Sequence, residues 1–174
     1  GTAKEVYPEW WGLDGVNDQV AINAAIAAIN PACTTGNGGE VRLLGSSYHA
    51  AAPIKLRASI KLIGSGRRST TIYGPTSQDT IQSDPAYQYS QLDVTLRDFC
   101  IYVSGTATAG KAINIDNSSG GFSEASYFHI QNLFIRASYD GLNIHNAVTG
   151  VIDNVKIESV VNDGFTTSGT CNAV

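Results

Sequence analysis

At 174 residues the chain has the size of one domain, and 11 Lys and Arg against 15 Asp and Glu give it a net charge of -4, which leaves no basic footprint for nucleic acid or an anionic membrane. Hydrophobic residues make up 43% and charged residues 15%, with no apolar run as long as a membrane span, so membrane-spanning and disordered classes are set aside. The three cysteines, Cys33, Cys100 and Cys171, stand at unrelated spacings and read as neither a disulfide framework nor a zinc motif. The opening Gly1-Thr2-Ala3 has no charged segment leading into an apolar stretch, so the start reads as internal and no signal peptide is expected.

The first element expected is a helix from Gln19 to Asn30. Asn17 and Asp18 are good N-caps, the run is Ala-rich, and Ile22, Ile26 and Ile29 form one apolar stripe that Pro31 stops. A Gly/Asn/Thr loop follows to Gly39. Short β-branched or alternating runs then predict strands at Glu40 to Leu44, Ile54 to Leu56, Ser59 to Ile63 and Thr70 to Tyr73.

Further on, three segments align: Asp98-Phe99-Cys100-Ile101-Tyr102, Asn132-Leu133-Phe134-Ile135-Arg136 and Asn154-Val155-Lys156-Ile157-Glu158. The last two are 22 residues apart, and Asp140-Gly141-Leu142-Asn143-Ile144 precedes Asp163-Gly164-Phe165-Thr166-Thr167 by 23. The wider gap after Asp98 is one step plus an insertion in the Gly/Ser-rich tract Asn117 to Ser126. A unit this short cannot bury its own apolar face and must stack on its neighbours, so the pattern predicts a β-solenoid with Ile and Val inside and about six coils after Glu40. The helix then serves as the lid that an open solenoid end requires. Residues 1–39 are read as a lead-in segment with the capping helix, and residues 40–174 as coils of what is expected to be the N-terminal part of a longer solenoid.

Val6-Tyr7-Pro8-Glu9-Trp10-Trp11-Gly12, the helix with Ala21-Ile22-Asn23-Ala24-Ala25-Ile26, the strand Gly38-Gly39-Glu40-Val41-Arg42-Leu43-Leu44 with Tyr48, then Ile60-Lys61-Leu62-Ile63-Gly64-Ser65-Gly66 and Thr70-Thr71-Ile72-Tyr73-Gly74 together resemble the N-terminal portion of pectin-lyase-like proteins. Order and spacing are most similar to bacteriophage tailspikes and capsule depolymerases, over roughly residues 6–74. Two blocks depart from that pattern: the tract before the helix is compressed to Leu13-Asp14-Gly15-Val16-Asn17-Asp18-Gln19, and Leu44-Gly45-Ser46-Ser47 replaces a Pro-Ala-Gly turn. The resemblance implies an all-β fold, a single-stranded right-handed parallel β-helix with an N-terminal capping α-helix. It also implies a homotrimer in the virion tail, made in the bacterial host cytoplasm, that contacts other tail proteins in host-cell recognition. Such a protein binds and depolymerises a bacterial surface polysaccharide, capsule or O-antigen, as a glycoside hydrolase or lyase without cofactor. Its catalytic carboxylates usually sit in middle coils, so this chain is expected to hold few or none of them. The alternatives are a non-enzymatic structural or adhesive virion module, and a cellular polysaccharide lyase or epimerase on the same fold.

Among candidate catalytic residues, Asp140 and Asp163 occupy equivalent positions one coil apart, near the carboxylate separation of a retaining glycosidase, although Asp-Gly is also ordinary turn chemistry. Glu158, five residues before Asp163, is a second carboxylate in that residue's coil. Asn154, Lys156 and Glu158 are read as alternating outward along a strand, a polar stripe suited to sugar hydroxyls, and Lys156 and Arg136 as cations able to neutralise a uronate. Tyr139, beside Asp140, is the aromatic singled out for stacking on a sugar. Tyr87, Tyr89, Tyr102, Tyr127 and Phe128 default to packing, and Trp10 and Trp11 to packing under the helix or against a neighbouring chain. His129 and His145 lack a third ligand at metal spacing and read as turn or groove residues; His145 or Lys156 is the base that a lyase route would use. Gly64-Ser65-Gly66-Arg67-Arg68-Ser69 has two glycines of a dinucleotide fingerprint but precedes a strand, and reads as a turn. Asn117-Ser118-Ser119 has the form of a glycosylation acceptor but carries no weight without a secretory context.

Overall fold

Ile and Val recurring at one position per coil fill a narrow interior from three sides. The computed structural model, which describes residues 4–32, 36, 38–86, 93–116, 127–146 and 149–168, forms three parallel sheets from sixteen short strands. Each coil contributes one strand to each sheet. The coils are β2 (Gly39–Arg42), β3 (Ser47–His49), β4 (Ile54–Leu56); β5 (Ile60–Ile63), β6 (Thr71–Gly74), β7 (Ile81–Ser83); β8 (Asp93–Arg97), β9 (Cys100–Val103), β10 (Lys111–Asp116); β11 (Tyr127–Gln131), β12 (Phe134–Arg136), β13 (Asp140–His145); and β14 (Thr149–Asp153), β15 (Lys156–Glu158), β16 (Phe165–Ser168). The first strands form sheet A, extended at its top by β1 (Glu5–Val6); the second form sheet B and the third sheet C. This is a parallel β-helix with a capping helix.

Register explains the composition. Val41, Leu62, Leu96, Ile130 and Ile152 stack inside sheet A, Tyr48, Ile72, Ile101, Ile135 and Ile157 inside sheet B, and Ile54, Ile81, Ile113, Leu142 and Phe165 inside sheet C. All but the last of each column are buried, while Ile152 and Ile157 are partly buried and Phe165 is exposed. Side chains alternate in and out along each strand, so every inward column leaves an outward one beside it.

Among the described residues there are five coils rather than the six expected. Successive coils begin at Gly39, Ile60, Asp93, Tyr127 and Thr149, so the second coil as well as the third is enlarged. The 117–126 tract lies outside the described residues, as do Tyr87, Tyr89, Cys33 and Cys171. Cys100 is buried, and desolvation raises its thiol pKa.

The helix α1 (Gln19–Ile29) packs on β1, β2 and β4 and buries Ile22, Ile26 and Ile29, the stripe read from sequence. Its N-terminus differs from expectation. Asp18 is itself in a helical conformation and makes no capping bond. Its buried carboxylate instead accepts the N–H groups of Asp14 (3.0 Å), Gly15 (2.9 Å) and, from β3, His49 (2.8 Å), tying the compressed tract to the first coil. Trp10 and Trp11 lie in a short 3-10 turn that contacts the helix, but they are 65% and 40% exposed rather than covered by it. His129 and His145 stand on strands β11 and β13, not in turns.

Short corners join sheets A and B. Asp98, Asn132 and Asn154 occupy the same corner of successive coils with φ of 64°, 51° and 50°, a conformation that Asn and Asp tolerate better than other side chains. The Asn132 amide donates to the Asp98 carboxylate at 2.7 Å and the Asn154 amide to Asn132 Oδ1 at 3.0 Å. Asn154 is therefore a corner residue and does not alternate along a strand with Lys156 and Glu158.

Candidate functional site

Outward positions of sheet B repeat immediately after the inward ones. The residues following Tyr48, Ile72, Ile101, Ile135 and Ile157 are His49, Tyr73, Tyr102, Arg136 and Glu158, aligned strand to strand. The His49 and Tyr73 rings stack with centroids 4.6 Å apart and planes at 7°, and Tyr102 meets Tyr73 edge-on at 5.8 Å. The Arg136 guanidinium lies 5.7 Å from the Tyr102 ring centre. In the adjoining column Cys100, Phe134 and Lys156 align, with the Lys156 ammonium 5.3 Å from the Phe134 ring centre. Four strand spacings make the column roughly 19 Å long.

The lower end of this face is charged. Lys156 Nζ lies 2.7 Å from Glu158 Oε2, and Arg136 Nε 3.8 Å from Glu158 Oε1. The hydrogen bond from Lys156 holds the Glu158 carboxyl below its usual pKa, with the charges of Lys156, Arg136 and Arg68 adding to the effect. A carboxylate held ionised in this way is a poor proton donor and a good counter-ion.

Asp140 and Asp163 do not share that face. They sit at the corner leading into sheet C, two residues before the paired Leu142 and Phe165. Asp140 Oδ1 accepts the Asp163 N–H at 3.1 Å and the Asn162 amide at 2.9 Å, and that amide also reaches Asp163 Oδ2 at 3.2 Å. Asp79 does the same work two coils above: its Oδ1 accepts the Lys111 N–H at 2.8 Å and its Oδ2 the Asn114 amide at 2.7 Å. The same device at two levels identifies the Asp140 carboxylate as a staple between coils. Tyr139 occupies the preceding corner, where its carbonyl accepts the Val161 and Asn162 N–H groups at 3.1 and 2.9 Å.

The outer face of sheet C is polar throughout. Gln82, Asn114, Asn143 and Thr166 align; the Asn143 amide donates to Asn114 and the Thr166 hydroxyl to Asn143, each at 2.8 Å. Beside them Asp116 pairs in register with His145, whose Nδ1 is 3.9 Å from Asp116 Oδ1, with both side chains partly exposed. Toward the helix, Gln19, Asn23, Lys55, Gln82 and Lys111 line an open groove of about 780 Å³. Among the described residues no three His, Cys, Asp or Glu side chains cluster as metal ligands would.

The sequence therefore identified Arg136, Lys156 and Glu158, which the fold does bring together, and combined them with Asp140 and Asp163, which it places round a corner. It missed His49 and Tyr73. The signal was present as the residue after each inward Tyr or Ile, but only two of the four spacings are near the 22-residue step.

A search of family models finds none that matches the chain, and no curated protein sequence matches it. Among solved structures, the A-module of the Azotobacter vinelandii mannuronan C-5 epimerase AlgE6 superposes over 96% of this chain with a TM-score of 0.56 and 17% identity. The likeness is one of fold: a parallel β-helix. This chain spans 57% of that module's length.

Proposed function

We propose that the chain is the capped end of a β-helix that engages a polysaccharide along the outer face of sheet B. The observation that carries this is the aligned column His49, Tyr73, Tyr102, Arg136 and Glu158. Ring faces for sugar rings, followed by fixed charges for polar substituents, are what an extended glycan requires of a flat surface.

The activity supported best is that of a polysaccharide-modifying enzyme of epimerase or lyase type. A neighbour in fold bears the name of such an epimerase, and at the foot of the sheet B column Arg136 and Lys156 supply cations able to neutralise a uronate. The second reading is a phage tailspike that binds and depolymerises capsule or O-antigen as part of a trimer, or binds it without turnover. Its support is the run of blocks from Val6 to Gly74.

One panel separates these readings. The protein is incubated with mannuronan, capsular polysaccharides and lipopolysaccharide glycans, and the products are read in parallel as inverted C5 centres, unsaturated uronates and new reducing ends. Inversion or unsaturation supports the first reading; reducing ends without either support the second. Binding weakened by Tyr73→Ala and Tyr102→Ala supports the sheet B face in both, and a panel in which neither variant alters binding overturns it.

A further inference from the structure

The loop between β5 and β6 continues the ladder to the coil below, and its Arg67 side chain reaches further. Gly64 N–H donates to the Arg97 carbonyl at 3.0 Å and Gly66 N–H to the Asp98 carbonyl at 2.8 Å, both in the third coil. The approach is close enough that a Cβ on Gly64 would stand 2.3 Å from the Asp98 oxygen. From there the Arg67 guanidinium reaches the fifth coil, 3.2 Å from Asn154 Oδ1 and 3.4 Å from the Asn154 carbonyl. Three strand spacings, roughly 14 Å, are bridged by one loop.

Arg68, the exposed residue that follows Arg67, adds its charge to those that lower the Glu158 pKa. Two cations, Arg136 and Lys156, thus pair with one carboxylate while the charge of Arg68 also acts on it, in a chain whose net charge is -4. An ion network that served packing alone would balance itself. This one concentrates unneutralised positive charge at the foot of an aromatic column, against the sign of the whole molecule. Two of the cations are already held over rings, Arg136 on Tyr102 and Lys156 on Phe134, so little ordering remains when an anion arrives.

Resting on the polysaccharide reading above, we propose that the 64–70 loop and the lower end of sheet B form an anion subsite for a carboxylate or sulfate substituent of the bound glycan. Glu158 is the internal counter-ion that the substituent competes with. Arg136 and Lys156 hold the substituent directly, and Arg68, beside Arg67 in the loop, adds to the positive field there.

Calorimetric titration with three hexasaccharides tests this: β-1,4-mannohexaose, its sulfated form, and the mannuronate hexamer, which keeps the backbone and adds carboxylates. The anionic probes are expected to bind about tenfold tighter than mannohexaose at low salt, with the advantage shrinking as salt is raised. A preference for only one of them assigns the substituent as carboxylate or as sulfate. Arg68→Gln should weaken anionic binding about fivefold and narrow the gap to mannohexaose, whereas Glu158→Gln should tighten it. Equal affinity for the three probes, or an unaltered preference in Arg68→Gln, overturns the subsite while leaving the polysaccharide reading standing. If no hexasaccharide binds and the glycan panel above is also negative, the polysaccharide reading fails, and the subsite is then judged by side-chain chemical shifts of Arg136 and Lys156 with free glucuronate and inorganic sulfate. Saturable shifts from either anion keep it; none overturns it.

Discussion

Asp140 Oδ1 accepts the backbone N–H of Asp163 at 3.1 Å, so the two residues that sequence alone would pair as a catalytic dyad are joined as side chain to main chain across a coil boundary. The Asn162 amide between their carboxylates completes the link. Asp140→Ala is accordingly expected to lower stability by about 1 kcal/mol, the ordinary net worth of such a bond, with glycan binding on sheet B retained. Asp79→Ala should behave alike, having the same bond to Lys111. Urea unfolding of both variants, alongside the binding assay, checks this; loss of turnover at unchanged stability in Asp140→Ala would return the residue to chemistry.

Tyr48 is buried beneath the lead-in segment. Its hydroxyl donates to the Glu9 carboxylate and accepts the Gly45 N–H at 2.6 Å. Burial, and then the bond to Glu9, raise its pKa well above the ordinary phenol value. The folded state therefore holds this proton more tightly than the unfolded chain does. The associated stability is present in full below about pH 10 and is lost as pH climbs from there toward the folded-state value. Tyr48→Phe should cost about 1 to 2 kcal/mol near neutrality, because the Gly45 donor loses its phenolic acceptor. It should also flatten the alkaline decline. Denaturant midpoints from pH 7 to 11.5 for both proteins measure the difference in slope.

Asn132 links its corner to those above and below, and its backbone has φ of 51°. Alanine removes both amide bonds and leaves a side chain poorly suited to that conformation, for an expected loss of about 2 kcal/mol. Glycine removes the same bonds but accepts the conformation, so Asn132→Gly should be the more stable of the two variants. Thermal unfolding of the pair separates the ladder from the backbone preference; equal stabilities would mean that the left-handed corner costs alanine nothing.

What could be read from sequence depended on whether a physical demand recurs at fixed spacing. Ile22, Ile26 and Ile29 repeat because a helix on a core needs a stripe. The Asp98, Asn132 and Asn154 segments align because each left-handed corner favours Asn or Asp three positions before an inward Ile. The strand Ile54–Leu56 was bounded as read. By contrast the aromatic column escaped because the second and third coils are enlarged, which spaces His49, Tyr73 and Tyr102 unevenly. Glu158 and Asp163 are five residues apart yet turn a corner between sheets, and linear distance carries no trace of that. The span from Arg67 to Asn154 depends on the direction a loop takes along the axis, which no local pattern encodes.

Phe128 and Gly150 are register partners in sheet A, and the ring fills the space a side chain at position 150 would occupy: a Cβ there would lie 2.0 Å from the ring. The buried ring has no room to retreat without displacing the core it packs on. Gly150→Ala is therefore expected to cost about 1 to 3 kcal/mol, the usual range for overpacking, although alanine is otherwise the better residue in a strand than glycine. Phe128→Leu alone should cost a comparable amount by leaving a void. Together the two changes exchange volume across one coil boundary, so the double variant should be more stable than the sum of the single losses predicts, with a coupling of at least about 0.5 kcal/mol. A double-mutant cycle in urea decides it, and strictly additive losses would show that the fifth coil is not packed on the fourth as described.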